Sequence, residues 1–228
     1  MSGNNQYDVD ALHYGITSIK YRPNINKNHY QMVYPLPKQG INMSKINEPK
    51  QLDELYNEAH LLALKKEIDE LEQHSITFIE HCPFIIMSTS DKNGFADVSP
   101  RGGDAGFVKV LDAKTIAFAD TAGNNRLDSL RNIVERPKIG LLFMIPGIGE
   151  VVRIKGTASL HTDNETLDLF VENNKPPKLV VKISVHKLLF HCPKAIAVAK
   201  LWSEANKVER SFLPSLLNII QDQIQASS

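Results

Sequence analysis

The stretch FIIMSTSDKNGFADVSPRGG, residues 84–103, decides the fold. Its first six residues form a short apolar run that predicts a strand, the Asp-Lys-Asn-Gly sequence at 91–94 predicts a hairpin turn, and residues 95–99 predict the return strand. Further strands are predicted at residues 106–111, 115–119, 139–145, 150–160 and 178–190. Closely spaced hairpins with few helices between them predict a β-barrel with peripheral helices, because a doubly wound sheet needs strands and helices in strict alternation.

Helices are predicted on both sides of these strands. Apolar residues at helical spacing begin near Pro49 and recur in residues 61–71, 125–135, 162–172 and 214–225. Thr162 or Asp163 can cap the helix that follows it. The chain therefore divides into a loosely structured arm (1–46), a helical lead-in (47–82), a barrel domain (83–202) and a C-terminal helical tail (203–228).

Two short clusters combine glycine with an arginine. Ser99-Pro100-Arg101-Gly102-Gly103 follows directly on a predicted strand, and its glycines would let the backbone lie flat against a planar ligand. Gly123-Asn124-Asn125-Arg126 opens a predicted helix, with Asn124 or Asn125 as the N-cap, Arg126 in the first turn and Ser129 one turn further on. A cation there opposes the helix dipole unless an anion docks at that end. The alternatives are a tight turn with one exposed arginine for the first cluster, and a surface arginine paired with Asp128 or Asp120 for the second.

Composition excludes several classes of protein. The 228 residues include 26 basic and 26 acidic side chains, so the formal net charge is zero and gives no reason to expect nucleic-acid binding. The N-terminus is polar and carries no apolar signal core, and the most apolar window, residues 139–149, is short and broken by Pro146. We therefore expect a soluble, cytoplasmic protein that does not span a membrane.

Both cysteines lie in His-Cys-Pro tripeptides, at residues 81–83 and 191–193. Two cysteines so far apart are no disulfide framework. Buried thiols at the boundaries of elements are the favoured interpretation, and a Cys2His2 metal site is the alternative; no metal is expected. The sequence contains no Rossmann or P-loop glycine motif, no nucleophile elbow and no HExxH, and we assign no catalytic residue.

Taken together, these segments resemble the pyridoxamine 5'-phosphate oxidase-related, FMN-binding split-barrel superfamily, and most closely an uncharacterised flavoprotein group within it. The resemblance covers about residues 47–202. It rests on the order and spacing of several motifs, namely Asp-Val-Ser-Pro-Arg-Gly at 97–102, Gly-Phe-Val at 106–108, Asp-x-x-Gly-Asn-Asn-Arg at 120–126, Asn-Ile at 132–133, Leu-Leu-Phe at 141–143, Ile-Pro-Gly at 145–147, Arg153 with Gly156, and Leu-Trp at 201–202.

This resemblance implies a mainly β, six-stranded split barrel with peripheral helices that forms a homodimer, with FMN in each of two clefts at the interface. It implies that Ser99, Pro100 and Arg101 lie along the isoalloxazine and that Asp120 and Thr121 flank the ring and ribityl chain. Asn125 and Arg126, with Ser129 from the next turn, match the phosphate-binding positions. Arg153 reaches the site from a neighbouring strand or from the other subunit.

The implied activity is that of an FMN-dependent oxidoreductase, passing hydride or electrons between the flavin and an unidentified small molecule. The alternative is a non-enzymatic protein that binds or carries flavin, haem or a related tetrapyrrole on the same scaffold. Leu127 stands where the oxidases proper have a second basic residue, their C-terminal Arg-x-His pattern is missing, and Val198 or Ala199 replaces an arginine of the closer group. These departures argue against vitamin B6 oxidation.

Overall fold

The computed structural model describes residues 45–120, 123–172 and 174–227. The chain divides into two compact units, residues 1–58 and 59–228. The described part of the first unit holds one short helix, α1 (Lys50–Leu55), which begins after Pro49 as the sequence predicts. The predicted arm lies outside the described residues except for its last two positions.

Seven strands of the second unit form one antiparallel sheet. They are β1 (Phe84–Ser90), β2 (Ala96–Gly102), β3 (Val108–Asp112), β4 (Thr115–Ala119), β5 (Lys138–Met144), β6 (Val151–His161) and β7 (Val180–His191). The strand order is β2-β1-β5-β6-β7-β4-β3. The antiparallel sheet with peripheral helices is confirmed, but the expected number of six strands is wrong, because the β3–β4 hairpin joins the same sheet through pairing of β4 with β7. Within the described residues β2 and β3 do not pair, so the sheet stays open between its two edge strands.

The core lies on one face of this sheet. Alternate residues of β1, β5 and β6 are buried, as in Ile85, Met87 and Phe143, while their neighbours along the strand are more exposed. This period of two is the pattern that a sheet with one covered face requires. The β6–β7 pair carries a bulge at Lys155 and Gly156, where the backbone of Ser184 comes within 2.5 Å of the position that a Cβ on Gly156 would occupy.

Two helices of eight residues help to cover that face. Helix α3 (Gln73–Glu80) starts at a capping box in which Glu72 and Ser75 bond each other's backbone, and it buries Phe78 and Ile79. Helix α4 (Asp128–Glu135) packs on β1, β2 and β6. Before α3, the predicted helical face over residues 61–71 is wrong beyond α2 (Leu61–Lys65), because the chain at Ile68 forms a β-bridge with Leu188 instead.

The remaining helices are short or peripheral. Helix α5 (Asn164–Asp168) is capped by Asp163, one of the two predicted candidates, and ends earlier than predicted. Helix α6 (Lys194–Ala199) follows β7, and the predicted C-terminal helix is present as α7 (Leu216–Ala226). None of the described helices combines the length and apolar character that a membrane span needs.

The two His-Cys-Pro tripeptides lie at element boundaries. Cys82 is fully buried between α3 and β1, where its thiol donates to the carbonyl oxygens of Phe84 (3.0 Å) and Met144 (3.3 Å), and burial raises its pKa. Cys192 is half-buried at the end of β7. Across the described residues, no group of three or more His, Cys, Asp or Glu side chains is arranged to hold a metal ion, which argues against the Cys2His2 alternative.

Candidate cofactor site

Strand β2 presents polar side chains to the core face of the sheet. Asp97, Ser99 and Arg101 alternate along the strand, and each is less exposed than the residue on either side. Arg101 pairs in register with the fully buried Ile85 of β1, so its side chain leaves the strand on the covered face. A guanidinium on this face needs an acceptor.

The described structure gives Arg101 no such acceptor at its Nε. This atom is buried and makes no hydrogen bond, and it is the one side-chain nitrogen or oxygen of the described residues in that condition. An unpaired buried donor costs on the order of 1–3 kcal/mol, and more when it belongs to a charged group. A bound acceptor would remove that cost, so the orphaned donor makes Arg101 a candidate binding residue.

A cavity of about 100 Å³ lies beside this arginine. Its lining comes from β2 and β4, which lie far apart in the strand order. The sheet must therefore curl until the end of β2 approaches the end of β4. Asp120, which follows β4, therefore lies on the same cavity as Pro100 and Arg101, while Thr121 falls outside the described residues. The lining residues are Pro100, Arg101, Gly102, Phe107, Phe118, Ala119 and Asp120.

A buried polar network fixes the start of β2 against α4. The Asp97 carboxylate accepts from the hydroxyls of Ser129 (2.9 Å) and Thr89 (3.2 Å), and Asn132 donates its amide to Thr89 (2.9 Å). Ser129 Oγ also lies 3.1 Å from Ser99 Oγ. Ser129 and Thr89 are only 5% and 3% exposed. The hydroxyl of Ser129, a predicted site residue, is therefore buried and hydrogen-bonded within the protein.

Sequence reasoning overlooked Asp97, although the signal was present. A carboxylate that alternates with Ser99 along a strand shares its face, and that face is the one the hairpin pattern predicts to be covered. A charged group there needs donors, which is a reason to look for a partner hydroxyl.

The second arginine cluster differs from the prediction. Helix α4 begins at Asp128, with Leu127 at the N-cap position and no side-chain cap, so the prediction of Asn124 or Asn125 as N-cap is wrong. Asn125 and Leu127 both have φ near +59°, a left-handed conformation that breaks the helix before Arg126 can enter it. Arg126 therefore precedes the first turn of the helix instead of lying in it.

Arg126 is paired at the surface, as in the predicted alternative. Its Nε donates to Asp128 Oδ2 at 2.8 Å, and its backbone N–H donates to the side chain of Asn124 at 3.1 Å. The side chains of Arg126 and Asp128 are 75% and 49% exposed. Since a guanidinium has five N–H donors, this one bond leaves most of the hydrogen-bonding capacity of Arg126 directed at solvent.

Arg153 lies on the other face of the sheet. It is exposed on β6 and belongs to a row of paired residues that runs through Leu142 and Ile86 to Pro100. Three strand spacings separate the ends of that row, about 14 Å. Within one chain, the structure therefore does not bring Arg153 to the Arg101 side chain.

The surroundings of Arg153 are basic. Burial lowers the pKa of His191, and the positive charges of Arg153 and Lys66 lower it further. The three groups therefore share one region of positive potential, at the end of β7 and on the outer face of β6.

An open antiparallel sheet that curls around a cavity between its edge regions defines the class of split β-barrels. A family model described as pyridoxamine 5'-phosphate oxidase matches residues 71–192, and this chain belongs to that family. The match contains all seven strands and α4, so it includes both arginine clusters.

Several solved structures are similar to this chain over about half of its length. HupZ from Group A Streptococcus is 22% identical, with 52% of this chain and 91% of that one covered at a TM-score of 0.42. A general-stress-protein-26-related protein of the pyridoxinephosphate oxidase family from Clostridium acetobutylicum is 12% identical (52% and 86% covered, TM-score 0.42). An FMN-binding protein from Syntrophomonas wolfei is 16% identical (51% and 81% covered, TM-score 0.39). No curated protein matches the chain.

Proposed function

We propose that this chain is an FMN-binding flavoprotein that works as an oxidoreductase. The observation that carries the proposal is the unsatisfied Nε of Arg101 beside the cavity shared by β2 and Asp120. A flavin offers ring carbonyl oxygens and nitrogens as acceptors for such a donor, and its phosphate suits a second arginine. The two arginine clusters, which both lie within the matched residues 71–192, would supply these two kinds of donor.

The residues that would hold FMN fall into two groups. Ser99, Pro100 and Arg101, with Asp120 and Thr121, are assigned to the ring and ribityl chain, and Asn125 and Arg126 to the phosphate. Ser129 would act mainly by fixing Ser99, because its hydroxyl already bonds Asp97. Arg153 would come from a second subunit, since it lies on the opposite face of its own sheet.

FMN supplies hydride and electron transfer when bound, and the protein supplies binding and orientation. Among the described residues that line the cavity, the titratable side chains are those of Arg101 and Asp120. Arg101 would donate a hydrogen bond to the ring, while Gly102 lets the backbone approach it closely. The second substrate would be a small molecule that stacks or docks beside the ring, and its identity is left open.

A homodimer would complete the site. The cavity of about 100 Å³ is smaller than the roughly 300–1,000 Å³ typical of small-molecule sites, so one subunit would cover only part of a flavin. Apolar side chains stand on the outer face of the neighbouring strands, with Val98 63% and Phe84 37% exposed next to Pro100. Such a patch beside a half-formed cavity fits a second copy of the chain.

FMN titration of the purified protein tests the proposal. The expected result is a yellow dimer whose bound flavin is lost in Arg126→Ala, with affinity falling about 10- to 100-fold because a hydrogen bond to a charged group contributes about 1.5–3 kcal/mol. Arg131→Ala is the matched control, since Arg131 is an exposed arginine within α4. A monomer that stays colourless with excess FMN would overturn the proposal.

Flavin or tetrapyrrole carriage without turnover is the second candidate. It is favoured by the described lining of the cavity, which offers no His, Cys or Lys as a proton donor. Anaerobic titration with NADH and NADPH separates the two, because only the oxidoreductase would bleach its flavin and turn over steadily in air. A Soret band in the protein as purified would instead identify a bound haem.

A further inference from the structure

A second cavity, of about 320 Å³, lies between the end of β6, the start of α5 and β7. It shares no lining residue with the cavity at Arg101. Apolar side chains form one part of its wall and charged or hydrogen-bonding side chains the other. The lining residues are Leu111, His161, Asp163, Glu165, Thr166, Leu169 and Lys182.

Two side chains that line this cavity, His161 and Asp163, belong to a chain of hydrogen bonds that begins at Ser159, a residue of β6 outside the lining. Ser159 Oγ lies 2.9 Å from His161 Nε2, and His161 Nδ1 lies 3.4 Å from Asp163 Oδ2. Ser159 and His161 are two apart on β6, so they project from the same face of the strand. Asp163 follows where the chain leaves the strand and turns into α5.

The carboxylate of Asp163 is fixed and ionised. Its Oδ1 accepts the backbone N–H of Thr166 at 2.9 Å as the N-cap of α5. Hydrogen bonds from the Thr166 side chain and backbone hold the pKa of Asp163 at about 2, so it is a pure acceptor at neutral pH.

That ionisation fixes the direction of the other two bonds. An ionised Asp163 can only accept, so Nδ1 of His161 donates to it, and in the tautomer that carries its proton on Nδ1 the Nε2 atom is an acceptor. Ser159 must then donate its hydroxyl proton to Nε2, which it does at a shorter distance than its 3.5 Å contact with the carbonyl oxygen of Lys182. A hydroxyl that donates to an imidazole held by a carboxylate is the arrangement of an activated serine.

We propose that Ser159, His161 and Asp163 form a second site, independent of the flavin, that transfers the acyl group of a short-chain carboxylic ester. Ser159 Oγ attacks the ester carbonyl carbon while its proton passes to His161 Nε2. The C–O bond to the alcohol then breaks, and the alcohol leaves with that proton. Water, deprotonated by the same imidazole, then attacks the acyl carbon, the bond from that carbon to Ser159 Oγ breaks, and His161 returns the proton to Ser159 Oγ as the carboxylic acid is released.

The wall of the cavity fits this substrate class. Leu111 and Leu169 offer apolar surface for a short acyl chain. Lys182 pairs in register with Ser159 across β6 and β7 and also lines the cavity, so its ammonium can stabilise the negative charge that develops on the carbonyl oxygen. Asp163 is a positioning residue, because it touches the imidazole and not the ester.

Hydrolysis of p-nitrophenyl acetate by the full-length protein tests the proposal. Ser159→Ala removes the nucleophile, so the assistance of the general base His161 is lost with it, and the rate should fall by about 100-fold or more, the lower end of what a positioned general base contributes. Ser184→Ala, which removes an exposed serine of β7, is the matched control and should leave the rate unchanged. After an acid quench, peptide mapping should find one acetyl group on Ser159.

A purely structural role for these bonds predicts different results. Asp163→Asn keeps an N-cap residue of similar strength but loses the charge that orients the imidazole, so the rate should fall while the far-UV circular dichroism stays the same. Equal rates for the wild type and Ser159→Ala, or acetylation of Lys182 alone, would overturn the proposal. An Asp163→Asn variant as fast as the wild type would also overturn the assigned relay.

Discussion

The two arginine clusters are built in opposite ways. The β2 cluster lies on a paired strand whose neighbour Asp97 is held by two hydroxyls, and Arg101 has a buried donor with no partner. The cluster before α4 lies in an exposed segment with two left-handed residues, and Arg126 satisfies its own Nε with Asp128. One region holds an unsatisfied donor in a fixed place, and the other holds a satisfied donor at the surface.

This contrast suggests a division of labour within the proposed FMN site. The β2 region is preorganised, so little conformational entropy would be lost there on binding. At the other end a phosphate would compete with Asp128 for the Arg126 guanidinium, but an exposed ion pair of this kind contributes only about 0–1 kcal/mol. The position of FMN would therefore be set by the β2 region, which would hold the ring. The affinity for FMN would depend on how well the phosphate competes with Asp128 for Arg126.

Asp97→Ala tests whether the β2 region is fixed by its buried network. Two buried hydroxyls, of Ser129 and Thr89, would lose their charged acceptor, and we expect the free energy of unfolding to fall by about 3 kcal/mol. Urea denaturation measures it. Asp104→Ala, at an exposed loop position after β2, should change stability by no more than about 0.5 kcal/mol. Equal losses in the two variants would show that the network does not stabilise the fold.

Alanine scanning of one glycine from each cluster compares their rigidity directly. A Cβ on Gly103 would lie 2.8 Å from Cβ of Phe107, which packs on Phe118 and lines the cavity with it. Gly103→Ala should therefore cost about 1–2 kcal/mol of stability and weaken FMN binding. A Cβ on Gly123 would have nothing within 4 Å, so Gly123→Ala should be neutral or slightly stabilising. Thermal unfolding with and without FMN measures both, and a destabilised Gly123→Ala would contradict the contrast.

The sequence predicted the local structure of the β2 cluster better than that of the cluster before α4, for a physical reason. Strand alternation and a hairpin turn are local signals, and they place Ser99 and Arg101 on one face of β2 whatever the rest of the chain does. The meeting of Asp120 with Pro100 is a long-range consequence of how the sheet curls. Only the family resemblance predicted it, since no local pattern specifies which strand ends meet.

The helix start at Asp128 shows where local rules fail. Asn124 and Asn125 are good N-cap residues, so the rule places the helix about three residues too early. The N-cap rule does not predict the positive φ of Leu127. Leucine has little intrinsic preference for that conformation, so its tertiary surroundings must impose it. The six strands implied by the family resemblance were also wrong, although local patterns predict all seven strands. Local patterns do not predict the pairing of β4 with β7, which depends on contacts far apart in the chain.

Asp128→Asn tests whether the Arg126 guanidinium exchanges Asp128 for the phosphate of FMN. Removing the carboxylate charge frees the guanidinium for a phosphate, so the affinity for FMN should rise by about two- to fivefold, the worth of an exposed ion pair. Affinity for riboflavin, which lacks the phosphate, should not change. Isothermal titration of both ligands against the wild type and the variant makes the comparison. If riboflavin gained as much as FMN, Arg126 would not be a phosphate ligand.

Titration of His191 tests whether Arg153 contributes a further phosphate contact to the proposed FMN site, and we expect this effect to be the smallest. Burial, Arg153 and Lys66 lower the pKa of His191 from its ordinary value of 6.5, so the unfolded chain binds the extra proton more readily and stability falls as pH drops below that value. A phosphate at Arg153 would offset the positive charge and raise the pKa of His191 towards normal. NMR titration of the ring proton with and without FMN measures the change, and Arg153→Gln should raise the pKa even without FMN. A pKa of His191 that responds to Arg153→Gln but not to FMN would show that Arg153 does not contact the phosphate.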